Sequence, residues 1–316
     1  ENLKKQGILL MKKILYEDVN IKRTGKYIDN FFDQNKTLPS GQPLFFHIEF
    51  SINGTCNRRC FFCPRVDPEK YPNITTSLDI KVFEKMVLEL KGVNFNGRIS
   101  FSGFGEPLLT KNLYQYVEIV KKHLKEVYIE ITSNGDVLLS KNGPTLLKKL
   151  FDSGLTNIKV SLYDGPEQIE PTENLKKKLN LSDEQFIIRK RYLGPDESFG
   201  LTISNRAGAI ELKNEVFEVK ALAEPLKKPC YFPFYKMMID YNGDVLICSN
   251  DWKKEAPVGN IKTESILDIW VSEKFINIRK KLSQANRNYK PCKTCDVNGT
   301  LNAKKAFDDW QEHLSK

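Results

Sequence analysis

Three cysteines within eight residues, Cys56, Cys60 and Cys63, constrain this chain more than any other feature. They form a C-x3-C-x2-C run at the end of an apolar segment, and thiolates this close can converge on one inorganic centre. Three is one short of a closed four-ligand site. A cubane held by three cysteines leaves one iron open to something that is not protein, and an open position is where chemistry can happen. On spacing alone, a zinc site or three unrelated buried thiols stay open as alternatives.

The chain has 316 residues, enough for one large domain and a smaller one, and its 40% hydrophobic and 28% charged content reads as an ordinary soluble protein. No run of eighteen apolar residues occurs, so no membrane partner is expected. Gly7–Met11 is apolar, but Lys12 and Lys13 cut it short, and it lacks the build of a signal peptide. Seven clustered cysteines argue for a reducing compartment and metal ligation over a disulfide framework, which places the protein in the cytoplasm. The net charge of +9 comes from 49 Lys and Arg against 40 Asp and Glu. Much of it lies in pairs such as Lys148-Lys149 and Lys280-Lys281, where a solvated helix face is the default. With no nucleic-acid-binding motif, no nucleic-acid partner is expected.

Residues 1–43 read as a lysine-rich helical extension with amphipathic pieces at 14–16 and 27–32. A strand over 44–52 then leads into the cysteine loop, and His47 on it reads as structural. Beyond it, strands and helices alternate. A helix capped by Ser77 or Asp79 runs to Lys91, followed by a strand at 98–102, a helix at 112–124 and a strand at 127–132. A helix at 145–153, a strand at 157–162, a helix to about 179 and strands at 186–192 and 201–204 complete six strands. This alternation predicts an α/β fold with a parallel sheet, and six units suit a partial (β/α)6 TIM-like barrel. Polar residues fall at the C-terminal strand ends, where parallel barrels gather their chemistry. They are Gly105-Glu106-Pro107, Ser133-Asn134-Gly135, Ser161, and then Asn205-Arg206, with Arg189 and Arg191 on the fifth strand.

On the cysteine run with Phe62 at its aromatic position, and on this registration of loops, residues 44–224 resemble the radical S-adenosylmethionine (SAM) enzymes. The resemblance implies a [4Fe-4S] cluster on Cys56, Cys60 and Cys63, with SAM chelating its open iron. It places Gly103–Pro107 at the family's Gly-Gly-Glu-Pro stretch, so that Gly105 and Glu106 face the SAM amino group, with Phe104 standing where the family has a glycine. Ser133, Asn134 and Ser161 fall near the SAM ribose and carboxylate, and Phe62 near the adenine. The family's G-x-I-x-G-x-x-E motif has no clean counterpart here.

A linker at 225–229 opens a second unit, residues 225–316, expected to be a small α+β domain. Met237–Cys248 reads as a hairpin turning at Asn242-Gly243, 266–282 as one amphipathic helix, and 303–314 as a last short helix. Cys230, Cys248, Cys292 and Cys295, spaced C-x17-C-x43-C-x2-C, can fill one tetrahedral or cubane site, and the ligand count alone does not separate zinc from iron–sulfur. Their spacing about Gly243 resembles the twitch domain, the shortened SPASM domain, which implies one auxiliary [4Fe-4S] cluster.

The implied activity is reductive SAM cleavage to a 5′-deoxyadenosyl radical that abstracts a C–H hydrogen, fed by a flavodoxin- or ferredoxin-type electron donor. The twitch-bearing aminocyclitol dehydrogenases suggest oxidation of a carbinol on a small sugar or polyol, with the auxiliary cluster as electron acceptor. Arg189, Arg191, Asn205 and Arg206 are then candidate substrate contacts. Redox-neutral epimerisation or peptide modification, and a non-catalytic electron carrier, are the alternatives. With all seven cysteines assigned to clusters, no thiol remains to return a hydrogen atom, which favours oxidation.

Overall fold

Alternation of side chains decides how the sheet is covered. Ile48, Phe50, Ile99, Phe101, Ile129, Ile131, Ile158, Val160 and Leu162 are all essentially inaccessible. They lie every second residue along successive strands, and pack with Phe83, Val87, Val117, Val120, Leu147 and Leu150 of the covering helices in one core. Each such side chain contributes roughly 1.5–3 kcal/mol when fully buried, so this interface dominates the fold.

The computed structural model describes residues 19–34, 36–194, 200–201, 203–213 and 218–316. The first half runs α1 (Val19–Phe32), β1 (His47–Phe50), β2 (Asn53–Gly54), β3 (Ile74–Ser77), α2 (Ile80–Gly92), β4 (Arg98–Phe101) and α3 (Leu113–His123). It continues with β5 (Tyr128–Ser133), α4 (Gly143–Asp152), β6 (Asn157–Leu162), α5 (Ile169–Lys178) and β7 (Phe186–Lys190). After a small β8–β9 pair (Leu212–Lys213, Glu218–Val219) come α6 (Phe232–Tyr235), β10 (Lys236–Ile239), β11 (Asp244–Leu246) and β12 (Pro257–Asn260). Helices α7 (Ile266–Trp270), α8 (Glu273–Ser283) and α9 (Lys304–Ser315) end the chain.

The main sheet has the order β12-β11-β10-β1-β4-β5-β6-β7. Strands β10, β1, β4, β5, β6 and β7 are parallel, and β11 and β12 add an antiparallel margin. This is an open α/β sheet of the partial-barrel kind, with β7 and β12 as its margins. The sixth parallel strand is not the one expected. Among the described residues, 201 and 203–205 form no strand; they lead into a turn in which Arg206, Ala207 and Gly208 all have positive φ. The vacant neighbour of β1 is supplied by β10, in register His47 to Lys236 and Phe50 to Ile239.

Other expectations need smaller corrections. Asp79 is the cap of α2, accepting from the backbone N–H groups of Lys81 and Val82. The single helix expected over 266–282 is two, because Ser272 breaks away to cap α8 through the Phe275 N–H. The third strand of the hairpin unit, β12, is short and carries Pro257 and Gly259, residues that weaken a strand pattern. The amphipathic piece at 14–16 lies outside the described residues, whereas 27–32 is the end of α1.

The opposite face of the sheet is polar. His47 accepts from Arg98 at Nδ1 (3.0 Å) and therefore carries its proton on Nε2, toward Ser100 Oγ at 2.7 Å. Burial first, then the nearby cations, hold this imidazole neutral, in keeping with a structural role. Glu130 pairs with Lys159 at 2.7 Å, and Glu49 faces Lys236 at 3.5 Å. A cavity of about 240 Å³ sits at the N-terminal strand ends beneath α1, lined by Arg98, Glu130 and Lys159 and by none of the cysteines.

Candidate active site

At the C-terminal end of the sheet the cysteine loop is fastened by four side chains. Asn53 caps it: its Nδ2 donates to the Glu106 carbonyl (2.8 Å) and to Thr110 Oγ1 (2.6 Å), while its Oδ1 accepts from Thr55 N–H. Asn73 pairs with both backbone groups of Cys56 at 3.0 Å. Arg65 is 7% exposed, and its guanidinium donates to the carbonyls of Phe104, Pro72 and Gly54 and to Asn73 Oδ1.

The fourth fastening, by Arg58, was not anticipated from sequence. Its fork clamps Asp136 at 2.7 and 2.5 Å and Asp164 at 2.7 and 2.7 Å. Asp136 follows β5 and Asp164 follows β6, so one side chain between Cys56 and Cys60 ties the loop to two strand ends. Asn57 joins in, donating to Asp136 and accepting from Asn134. The available signal was an arginine inside the loop and an aspartate just past each of two strands.

All seven cysteines are free thiols. Burial pushes the Cys60 thiol up to about 11, with the charges of Cys63 and Cys56 adding to it, and burial also raises Cys56 and Cys63. Three partly buried thiols in one loop, close enough to act on one another through their charges, form a donor set suited to a cationic centre that displaces their protons. The first cysteine set therefore fits an iron–sulfur group.

Glu106 is 3% exposed and lies across this loop from the cysteines. Its Oε1 accepts from Leu108 N–H (3.0 Å) and its Oε2 from Asn134 N–H (2.8 Å), with Ser133 as a further partner. No salt bridge to it occurs among the described residues, and burial pushes its carboxyl up to about 7. A carboxylate accepts about four hydrogen bonds, so it retains capacity for a donor on a ligand. Gly105 has no room for a side chain: a Cβ there would meet Asn53 Oδ1 at 2.5 Å and the Asn53 carbonyl at 2.6 Å. Phe104 does not crowd this loop, because its ring turns to Trp252 at 4.6 Å and packs with Met238 and Leu246.

Phe62 packs on Tyr163 with ring centroids 5.2 Å apart, and Tyr163 has Ser161 as a hydroxyl partner. Tyr163 is a further residue at the mouth, one position past β6, and nothing in its sequence neighbourhood marks it. The structure thus brings Phe62, Gly105, Glu106, Ser133, Asn134 and Ser161 to the strand ends around the cysteine loop. Arg189, on β7 opposite Ser161, acts on Glu130, Lys159 and Tyr163 through its charge. Arg191 donates to the Gly200 carbonyl at 2.6 Å.

Asn205 is fully buried, and its amide is committed to the Lys220 and Thr294 carbonyls and to the N–H groups of Gly208 and Asp296. Through Thr294 and Asp296 it braces the segment that carries Cys295. Arg206 differs. Its charge reaches both Cys63 and Asp296, and its Nη1 donates to Asn250 Oδ1 at 3.3 Å.

The second set, Cys230, Cys248, Cys292 and Cys295, lines one pocket together with Ala207, Asn250 and Arg287. Arg287 is 2% exposed and donates to four carbonyls, of Lys228, Pro229, Val297 and Asn298, which draws the segments around Cys230 and Cys295 together. Gly299 lies so close to Cys230 that a Cβ would stand 2.4 Å from its Sγ. Burial and mutual repulsion push Cys230 up to about 11 and Cys295 up to about 12. Among the described residues no three such side chains converge tightly enough to hold a single metal ion. The four thiols line one pocket, a donor set that can take an iron–sulfur cluster.

Residues 50–186 match the radical SAM superfamily, and residues 230–296 match the SPASM iron–sulfur cluster-binding domain. The chain is 28% identical over 266 residues to the S-adenosyl-L-methionine-dependent 2-deoxy-scyllo-inosamine dehydrogenase of Niallia circulans, covering 84% of this chain and 98% of that protein. A GTP 3′,8-cyclase of Campylobacter jejuni is 26% identical over 170 residues, 53% of this chain and 48% of the cyclase. The crystal structure of BtrN in complex with AdoMet and 2-DOIA superposes with a TM-score of 0.67 at 26% identity, over 84% of this chain and 98% of that one. The fold is also shared with anSMEcpe bound to AdoMet, at a TM-score of 0.54 and 13% identity over 85% and 96% of the two chains. The first domain brings SAM and a [4Fe-4S] cluster as cofactors, and the second brings auxiliary iron–sulfur. No helix among the described residues is long and apolar enough to cross a membrane. The chain belongs to the radical SAM superfamily, as an iron–sulfur oxidoreductase whose partial barrel is followed by a SPASM-type cluster-binding domain.

Proposed function

We propose that this enzyme oxidises a carbinol of a small sugar- or aminocyclitol-type polyol to a ketone. The observation that carries the reading is Arg206, whose guanidinium stands between the two cysteine sets, within electrostatic reach of Cys63 and one amide away from Cys248. A substrate held there would lie between the two centres. The N. circulans relative, a dehydrogenase of 2-deoxy-scyllo-inosamine, supports this substrate class.

When bound, the paired cofactors supply a 5′-deoxyadenosyl radical, by one-electron cleavage of SAM, and an acceptor for the second electron of the substrate. The chain's own residues do the rest. Cys56, Cys60 and Cys63 would hold the first cluster, and Cys230, Cys248, Cys292 and Cys295 the auxiliary one. Glu106, with Gly105 beside it, would receive the SAM amino group, and Ser133, Asn134 and Ser161 its ribose and carboxylate. Phe62 and Tyr163 would wall the adenine and keep water from the radical. Arg206 and Arg189 would orient substrate hydroxyls, as forked donors do. The basic surface suits an acidic flavodoxin- or ferredoxin-type donor, and seven free thiols suit a cytoplasmic setting.

The test is anaerobic turnover of the reconstituted enzyme with aminocyclitols and sugars in heavy water. Equal amounts of 5′-deoxyadenosine and a product two mass units lighter than its substrate are expected. An epimer carrying one new deuterium, with no oxidised product, would refute dehydrogenation.

A further inference from the structure

We propose that Asn250 is a positioning residue that sets the reduction potential of the auxiliary centre through the Cys248 thiolate, and that Arg206 fixes its orientation. The proposal rests on the reading that the four C-terminal cysteines hold an iron–sulfur cluster. Asn250 follows Cys248 by two residues and is 6% exposed. Its backbone N–H points to Cys248 Sγ at 3.3 Å and its side-chain Nδ2 to the same sulfur at 3.4 Å.

The amide orientation follows from its other neighbour. A guanidinium has donors only, so the atom facing Arg206 Nη1 must be Oδ1, and this turns Nδ2 to the sulfur. The loop around it is fixed as well. Trp252 N–H bonds to the Asn250 carbonyl at 2.9 Å, and the fully buried Asp251 accepts from the N–H groups of Glu255 and Ala256. The remaining sulfurs are served differently: Cys230 and Cys295 meet single backbone N–H groups two residues on, and Cys292 lies beside Tyr289. Cys248 receives a backbone donor and a side-chain donor together.

Hydrogen bonds to cluster sulfurs are among the factors that set potential. A donor at thiolate sulfur offsets negative charge, and the reduced cluster carries one more negative charge than the oxidised one. Two donors on Cys248 therefore favour the reduced state and make this centre a better electron acceptor. The amide is held by Arg206, whose charge also acts on Cys63, so one side chain links the auxiliary thiolate by hydrogen bonds and the first cysteine loop by its charge.

The test uses the full chain with Cys56, Cys60 and Cys63 replaced together by alanine, reconstituted anaerobically so that the four-cysteine centre is the sole redox group. Its midpoint potential is read by EPR-monitored titration in this parent and with N250L or N250A added. Iron is expected to stay at about four per chain, with the potential moving negative in both variants. R206M should move it in the same direction by less. Unchanged potential in an iron-replete N250L or N250A protein overturns the proposal and leaves the cluster assignment standing. A parent that holds no iron overturns the assignment, and the proposal with it.

Discussion

Replacing Arg58 by glutamine should loosen the cysteine loop from the two strand ends that hold it. The side chain is 17% exposed, Asp136 30% and Asp164 54%, so the two halves of the fork are unequal. The bidentate clamp on Asp136 is the better shielded, and a charge-assisted contact of that kind contributes about 1.5–3 kcal/mol. The half-exposed Asp164 arm adds about 0.5 kcal/mol after solvent screening. The sum is about 2–3.5 kcal/mol, which for a chain of this size lowers the melting temperature by roughly 4–7 °C. The assay is an anaerobic melt of the reconstituted protein, with iron counted per chain, for R58Q, D136N and the double variant. The double-mutant cycle should return a coupling of about 1.5 kcal/mol or more, because the residues touch. An R58Q protein that melts within about 1 °C of wild type and keeps its iron would refute the reasoning.

Replacing Cys56, Cys60 and Cys63 together by alanine should leave about four of about eight irons and abolish SAM cleavage. Glu106 gives a pH signature: burial holds its carboxyl near 7, so the acceptor form grows as pH rises through that value. SAM should bind more tightly at pH 8 than at pH 6, and Glu106→Gln should weaken binding and flatten the dependence, as read by equilibrium binding to the loaded protein. The sign for stability is opposite. Because the folded pKa is raised, the SAM-free protein should lose stability as pH rises through about 7, whereas Glu106→Gln should not. Gly105→Ala should displace the Asn53 contacts and lower SAM affinity at least tenfold, since its Cβ would press on backbone atoms.

What was legible in the sequence was whatever a short local pattern carries. The β6 strand has the expected bounds, 157–162, because its apolar residues alternate without interruption between a glycine turn and a polar loop. Both cysteine sets, and the polar residues at the C-terminal ends of β4, β5 and β6, were readable from spacing for the same reason. The errors fell where a distant partner decides. Residues 201–204 alternate well enough for a strand, yet the neighbouring turn is held by the Asn205 amide on Thr294 and Lys220, and β10 takes the place beside β1. Asn205 looked like a strand-end contact and is a buried brace. Arg58 and Tyr163 went unnoticed because their partners are 78 to 106 positions away, or are one ring across the mouth.

The pairing of β1 with β10 also sets a schedule for synthesis. His47 meets Lys236 only after the ribosome has added nearly two hundred further residues, which at common elongation rates takes about ten to forty seconds. Throughout that interval one flank of β1 presents unpaired N–H and C=O groups beside Ile48 and Phe50, an edge prone to recruit another chain. A protein cut before residue 236 would keep that edge permanently. Such a truncation should aggregate rather than persist as a free-standing SAM-binding barrel, whatever becomes of its iron.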